Sequence, residues 1–391
     1  MKKYVITAAA TLLMAAFTAP TALNVRKEVT DAGRQLVLAD QARKGTDRIP
    51  HSTKPDGSAN DRETSWWTSG FFPGNLWYVY EYTKDPKYRK LAEKWTAPLE
   101  KEQYNTRTHD LGFMLYCSYG NGYRLTKNPK YRDIMIQGAN SLASRFDPKV
   151  GVIKSWDKFG TYNYPVIIDN MMNLEFLFWA SKATGDPSFR KIAVTHADNT
   201  MKNHFRADNS SFHVVCYNPD GSVAAQKTHQ GAADESAWAR GQAWGLYGYT
   251  VMYRETKDKR YLTQAQKIAD YFLSHSNLPE DKIPYWDFNR PNEERDASAG
   301  AITASALLEL SQYSKAKQKT YVQAAEKMLQ SLSSASYKAK LGDNNQFVLQ
   351  HSVGHKPGKS EIDVPLVYAD YYFIEGLMRY EKVKAGKRLF I

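Results

Sequence analysis

Two kinds of hydrophobic pattern alternate along this chain. The first is apolar nearly all round, as in Trp77 to Tyr82, Gly112 to Leu125, Leu174 to Ala183 and Gln242 to Tyr253. A helix of that kind has no face for water and belongs inside a larger assembly. The second keeps its apolar residues on one face, as in Tyr261, Ala265, Ile268, Ala269 and Phe272, at the spacing of a helical turn. Between them recurs a helix-start signal: Asp85-Pro86-Lys87-Tyr88-Arg89, Asn128-Pro129-Lys130-Tyr131-Arg132 and Asp186-Pro187-Ser188-Phe189-Arg190, with weaker versions at Asp258 to Tyr261 and near Thr320-Tyr321. Asp or Asn supplies the cap and Pro fits the first turn, where no amide hydrogen is needed. The irregular spacing suits helical hairpins separated by loop insertions.

Six segments of the buried type begin near Gly74, Gly112, Asn173, Gly241, Gly300 and Tyr368, and six amphipathic ones near Asn24, Pro86, Pro129, Pro187, Arg260 and Thr320. Strict alternation of the two predicts an all-α fold, an (α/α)6 toroid in which six outer helices cover six inner ones. The one competing strand signal is a small hairpin over Phe212 to Ala225, turning at Asp220-Gly221.

The N-terminus changes the picture of where the protein works. Lys2 and Lys3 precede an apolar run from Val5 to Phe17, followed by small residues at Thr18, Ala19 and Ala22. This reads as a signal peptide over residues 1–22, leaving 23–391 as a single catalytic domain that is exported, to the periplasm. No other stretch reads as membrane-spanning, so no membrane association is expected once the leader is gone. Cys117 and Cys216 are too few for a disulfide scaffold and read as free thiols. The net charge of +12, two of it in the leader, favours a polyanionic partner. No nucleic-acid module is recognisable, and export points to an acidic polysaccharide. Aromatic residues reach 13%, with 9 Trp and 26 Tyr, more than a core alone demands and in keeping with sugar-stacking surfaces. No metal-ligand pattern, nucleotide-binding loop or serine elbow is present, so no cofactor and no metal are expected. Nothing in the chain speaks to oligomeric state.

Candidate chemistry sits just before each inner helix. The clusters are Trp66 to Phe71, Thr108-His109-Asp110-Leu111-Gly112, Ile168-Asp169-Asn170, Asp234-Glu235-Ser236, Asp296 to Gly300 and Glu361-Ile362-Asp363. In an alternating toroid all inner helices run the same way, so these clusters meet at one mouth. Helix capping accounts equally for Asp234, Asp296, Asp363 and Asp370. Asp169 follows the apolar run Val166-Ile167-Ile168, where burial would raise its pKa into the range of a usable acid. Asp110 stands between His109 and an apolar helix. Thr228 to Trp244 holds His229, Gln230, Arg240 and Trp244. Arg240 offers a fork for a carboxylate and Trp244 a ring platform, although an Arg240 pairing with Asp234 or Glu235 beside a core Trp fits as well.

At these residues the sequence resembles the unsaturated glucuronyl hydrolases, glycoside hydrolase family 88. The resemblance rests on Trp67-Thr68-Ser69-Gly70-Phe71, His109 to Met114, Asp169 to Asn173 and Trp238 to Trp244, with Gln230 upstream of Arg240 at the family's spacing. It covers nearly the whole mature chain, in order. The resemblance implies the same toroid and an unusual chemistry: hydration of the 4,5-double bond that polysaccharide lyases leave in a terminal uronic acid. It makes Asp169 the general acid and base and Asp110 its partner carboxylate. His229, Gln230, Arg240 and His213 become groups that bind the uronate, and Trp67 and Trp244 ring platforms. The implied substrates are unsaturated glycosaminoglycan disaccharides. On the leaving-sugar side, the loop from His351 to Ser360 offers Ser352 and Lys356 as sulfate contacts, or is simply a solvated basic loop. The rival readings are an unsaturated rhamnogalacturonyl hydrolase and a non-catalytic glycan-binding toroid.

Overall fold

The structure, a computed structural model, describes residues 23–389. The expected leader over residues 1–22 lies outside the described residues. In chain order the major helices are α1 (Val25–Ala42), α2 (Phe71–Thr83), α3 (Pro86–Thr96), a π-helical run Gly112–Gly120 that continues into α4 (Asn121–Thr126), and α5 (Pro129–Ala143). A 3-10 turn, Ile168–Asn173, leads into α6 (Leu174–Thr184), followed by α7 (Pro187–Asn203), α8 (Ala239–Thr256), α9 (Lys259–Ser274), α10 (Ala297–Ser311), α11 (Gln318–Leu332) and α12 (Val367–Lys384).

The even-numbered helices form a closed ring. α2 packs on the π-helical run, that run on α6, α6 on α8, α8 on α10, α10 on α12, and α12 returns to α2. Each odd-numbered helix packs outside its even-numbered neighbours. This is the (α/α)6 toroid expected from the sequence. Its cause is visible in burial: every residue of α10 is buried, whereas α9 buries Tyr261, Gln264, Ala265, Ile268, Ala269 and Phe272 along one stripe.

The recurring start signal builds the corners between rings. Lys84, Lys127, Gly185 and Lys257 end inner helices in the left-handed conformation. The next residue, Asp85, Asn128, Asp186 or Asp258, caps the following outer helix by accepting a backbone N–H two residues on. α11 departs from the pattern. It follows a short 3-10 turn, Lys315–Lys317, and has no side-chain cap.

Three small antiparallel sheets decorate the ring. They are β1 (Ile49–Thr53) with β2 (Ala59–Arg62), β3 (Phe146–Asp147) with β4 (Val152–Ile153), and β5 (Pro165–Ile167) with β6 (Val214–Tyr217) and β7 (Val223–Lys227). The expected hairpin is β6–β7, with Gly221 at φ +85° in its turn. The third strand was hidden in sequence because β5 is only three residues long, and it delivers the chain directly to Asp169. Cys117 and Cys216 are buried, free thiols.

Candidate active site

The amino-terminal ends of the inner helices meet at one mouth. Trp67, before α2, lies 5.0 Å from the ring of Tyr368 on α12 and 5.6 Å from Phe113 of the π-helical run. Phe113 in turn lies 5.2 Å from Trp244 on α8. Arg240, one turn before Trp244, binds Asp296 at the start of α10 at 3.1 Å. Two glycines permit this convergence. A Cβ at Gly70 would stand 2.1 Å from the Phe113 carbonyl oxygen, and one at Gly112 would stand 2.5 Å from Asn173 Oδ1. Both sites need the close backbone approach that only glycine allows.

Asp169 occupies the 3-10 turn between β5 and α6 and is buried. The Ile168 amide bonds the His213 carbonyl, which fixes the turn to β6. Burial pushes the Asp169 pKa up to about 7; the positive charge of Arg240 opposes the rise and the negative charge of Asp110 adds to it. Asp169 Oδ2 has no hydrogen-bond partner among the described residues. Asp370 makes an instructive contrast. Burial lifts it to about 7 as well, but its two oxygens accept the amides of Val348 and Leu349 at 2.9 and 2.8 Å. Asp370 is spent on structure, and Asp169 keeps a free oxygen.

His213 faces that oxygen. Its Nδ1 accepts the backbone N–H groups of His229 and Gln230, each at 3.1 Å. A nitrogen accepting two hydrogen bonds carries no proton, so the neutral ring holds its hydrogen on Nε2. Nε2 lies 3.7 Å from Asp169 Oδ2. Burial, first, then the nearby His229 and Arg240 hold the His213 pKa well below its ordinary value, so the ring is a neutral donor aimed at the carboxyl.

Asp110 is buried beside this pair. It accepts the Thr108 hydroxyl at 2.8 Å, and its Oδ1 lies 3.2 Å from His109 Nε2. Burial lowers the His109 pKa, so that ring is neutral too.

Arg240 is placed differently from either sequence expectation. Its carboxylate partner is Asp296, not Asp234 or Glu235. Asp234 instead pairs with Lys227 and accepts the Thr228 amide. The Arg240 guanidinium lies over the rings of Trp238 and Tyr368 and donates to the carbonyls of Val353 and, at 2.6 Å, Gly354. Gln230 Nε2 donates to the same Gly354 carbonyl at 2.9 Å. These two side chains clamp the tip of the 351–364 loop over the mouth. The loop is pinned from its other side by Glu361, which binds His51 at 2.5 Å. Arg240 Nε is buried and has no hydrogen-bond partner among the described residues.

The remaining expected residues divide. Trp244 is fully buried and its indole N–H has no partner. Trp67 is partly buried against the same aromatic floor. His229 sits between Trp156, at 5.2 Å, and His355, at 4.3 Å, its pKa lowered to about 4 by burial. Ser352 is buried, with its backbone paired to Val364. The Lys356 ammonium is already engaged by Glu293 and Glu294 and by the face of Trp286. Tyr368, Asn173 and Gln242, the last two within the quoted motifs but none given a role from sequence, have buried polar atoms without partners around the same mouth. Only three-dimensional placement separates them from core residues. Among the described residues no group of three His, Cys, Asp or Glu is placed to hold a metal ion.

The family model for Glycosyl Hydrolase Family 88 matches residues 41–390. An unsaturated glucuronyl hydrolase of Formosa agariphila is 48% identical over 319 residues, covering 80% of this chain and 79% of that protein. Among solved structures, an unsaturated glucuronyl hydrolase specific for heparin superposes with a TM-score of 0.89 at 50% identity, covering 92% of this chain and 98% of that one. A Streptococcus agalactiae unsaturated glucuronyl hydrolase mutant complexed with dGlcA-GalNAc6S superposes with a TM-score of 0.79 at 29% identity, covering 94% of each chain.

Proposed function

The chain belongs to glycoside hydrolase family 88, and from that premise we propose that it releases 4,5-unsaturated uronic acid from the non-reducing end of glycosaminoglycan fragments left by lyases. The observation that carries this reading is the Asp169 carboxyl, which is buried, half unpartnered and poised near pH 7. A group that is protonated half the time at working pH serves both as acid and, once emptied, as base.

In the proposed reaction Asp169 gives its proton to C4 of the enol ether. Positive charge develops at C5 and the ring oxygen. Water adds to C5, and the Asp169 carboxylate takes the water's proton. The hemiketal then opens to a ketone, and the C1 hemiacetal so exposed expels the neighbouring sugar. No bond to the leaving oxygen is attacked directly, so the paired-carboxylate schemes of ordinary glycosidases do not apply. His213 Nε2–H supports the carboxylate form of Asp169 after proton transfer. Asp110 keeps the acid protonated beforehand by its negative charge. Arg240 and Gln230 bind the uronate when the loop tip lifts, and Trp67 and Trp244 wall the ring.

The 50% identical relative described as specific for heparin makes heparin-type disaccharides the first substrates to try. We also propose export to the periplasm, on the basic, apolar and small-residue order of residues 1–22. A panel of unsaturated heparin, chondroitin and pectin disaccharides, followed by loss of enol-ether ultraviolet absorbance, tests the function. Turnover of the glycosaminoglycan members is expected. Turnover of the pectin member alone would shift the reading to rhamnogalacturonyl hydrolysis, and no turnover of any would leave a glycan-binding toroid.

A further inference from the structure

Beneath the aromatic floor, the inner helices enclose a cavity of about 730 Å³ that runs from Gly112, Phe113 and Met172 toward the far end of the toroid at Lys382 and Leu389. That size lies within the roughly 300–1,000 Å³ of ordinary small-molecule sites. Its wall presents three half-buried rings, Tyr116, Tyr123 and Trp179. Trp179 is held in place by Phe176, stacked at 6.2 Å, and by the edge of Tyr123 at 5.9 Å. Ionised groups stand between the rings; Arg124 pairs with Glu81, Glu175 with Arg254 and Arg379 with Glu375, while Lys127, over the ring of Tyr123, and Lys382 add two cations to the wall. Such groups offer many local donors and acceptors for hydroxyls, and aromatic faces beside them match the apolar face of a pyranose.

We propose that this cavity is a second saccharide site, for a hydroxyl-rich ring such as an N-acetylhexosamine. It is separated from Asp169 by the aromatic floor: Phe113 lines the cavity and also meets Trp67 and Trp244. The site stands on its own lining and does not depend on the reaction proposed for the other mouth.

Hydrogen-exchange mass spectrometry of the unmodified protein with N-acetylglucosamine tests it without any substrate. Protection is expected at residues 112–127 and 172–184. Absence of protection there at about 50 mM sugar, a concentration that would fill even a millimolar site, overturns the proposal. So does protection confined to residues 213–230 and 351–361 at the front mouth. Titration calorimetry then compares variants. Trp179→Ala is expected to weaken the sugar about tenfold, the worth of one ring face, with turnover of unsaturated disaccharides unchanged. Trp179→Phe keeps a platform and is expected to retain most of the affinity. Equal affinity in the parent protein and the Ala variant would also reject the site.

Discussion

The two ends of this toroid are built from the same helices and hold charge in opposite ways. At the end near Asp169, buried polar atoms are left without partners: Asp169 Oδ2, His213 Nε2, Trp244 Nε1, Asn173 Nδ2, both amide atoms of Gln242 and the Tyr368 hydroxyl. At the other end the buried ions are answered. Glu375 accepts from Tyr78 at 2.8 Å, from Tyr247 at 3.1 Å, from Ser305 at 2.5 Å and from Arg379 at 3.1 Å. Arg254 joins Glu309 at 3.0 Å and Glu255 at 3.1 Å as well as Glu175. A buried donor or acceptor without a partner costs stability, so natural proteins tolerate a cluster of them where a substrate will complete the set. The paired end answers its own charges, and the unpaired end leaves polar atoms for the reaction proposed there.

Removing Asp169 should produce the largest change. Asp169→Asn is expected to lower kcat by about 10² to 10⁴, the usual worth of a positioned acid, while substrate binding measured by calorimetry persists. Stability should move the other way. Asp169 ionises near 7 when folded and near 3.8 when unfolded, so the carboxyl weakens the fold progressively as pH rises through that window, and the cost persists above it. Asn carries no such cost, and the variant should melt no lower than the parent at pH 8. Retention of a tenth of the activity would break the assignment.

The same operation at the other end should do the reverse. Glu375→Ala removes the acceptor shared by Tyr78, Tyr247, Ser305 and Arg379, leaving Arg379 with Glu309 as its carboxylate partner, and is expected to cost about 3–5 kcal/mol of stability by denaturant unfolding. Its kcat per folded molecule should stay near that of the parent. A large loss of kcat with intact stability would place chemistry at the wrong end.

Coupling between the two acids sharpens the picture further. The Asp169 pKa of about 7 predicts that activity falls about tenfold per pH unit above neutrality, as the acid empties. The charge of Asp110 is one cause of that raised value. Asp110→Asn therefore lowers the Asp169 pKa and moves the alkaline limb to lower pH. A limb that stays in place would show that the two carboxyls do not interact.

Much of this arrangement was legible in the sequence, for identifiable reasons. Fold and helix order followed from amphipathicity, because inner and outer helices bury different fractions of their surface. The corner signals were read correctly because Asp and Asn caps act within two residues. The burial of Asp169 and its raised pKa were legible from the apolar run before it. The partner of Arg240 was not, because Asp296 lies 56 residues away and local spacing favoured Asp234 and Glu235. Sequence reading put Asp370 among the helix caps, whereas it takes backbone amides from the loop before α12. Asp169 and Asp370 are both buried and both raised to about 7, and only the backbone amides on Asp370 tell them apart.

The 351–364 loop tests the boundary between the two kinds of charge, since it carries basic residues at the unpaired mouth. If Lys356 were a free cation there, Lys356→Ala with Lys359→Ala would discriminate strongly against sulfated substrates. Its ammonium is instead held by Glu293 at 2.8 Å and by Glu294, with Trp286 beneath it, an arrangement that already neutralises it. A sulfate would have to compete with both carboxylates, and exposed ion pairs are worth only about 0–1 kcal/mol. The double variant is therefore expected to raise KM for sulfated disaccharides by no more than about threefold relative to unsulfated ones. A tenfold difference would mean that Lys356 exchanges its glutamates for the ligand, and that the loop belongs with the unpaired end after all.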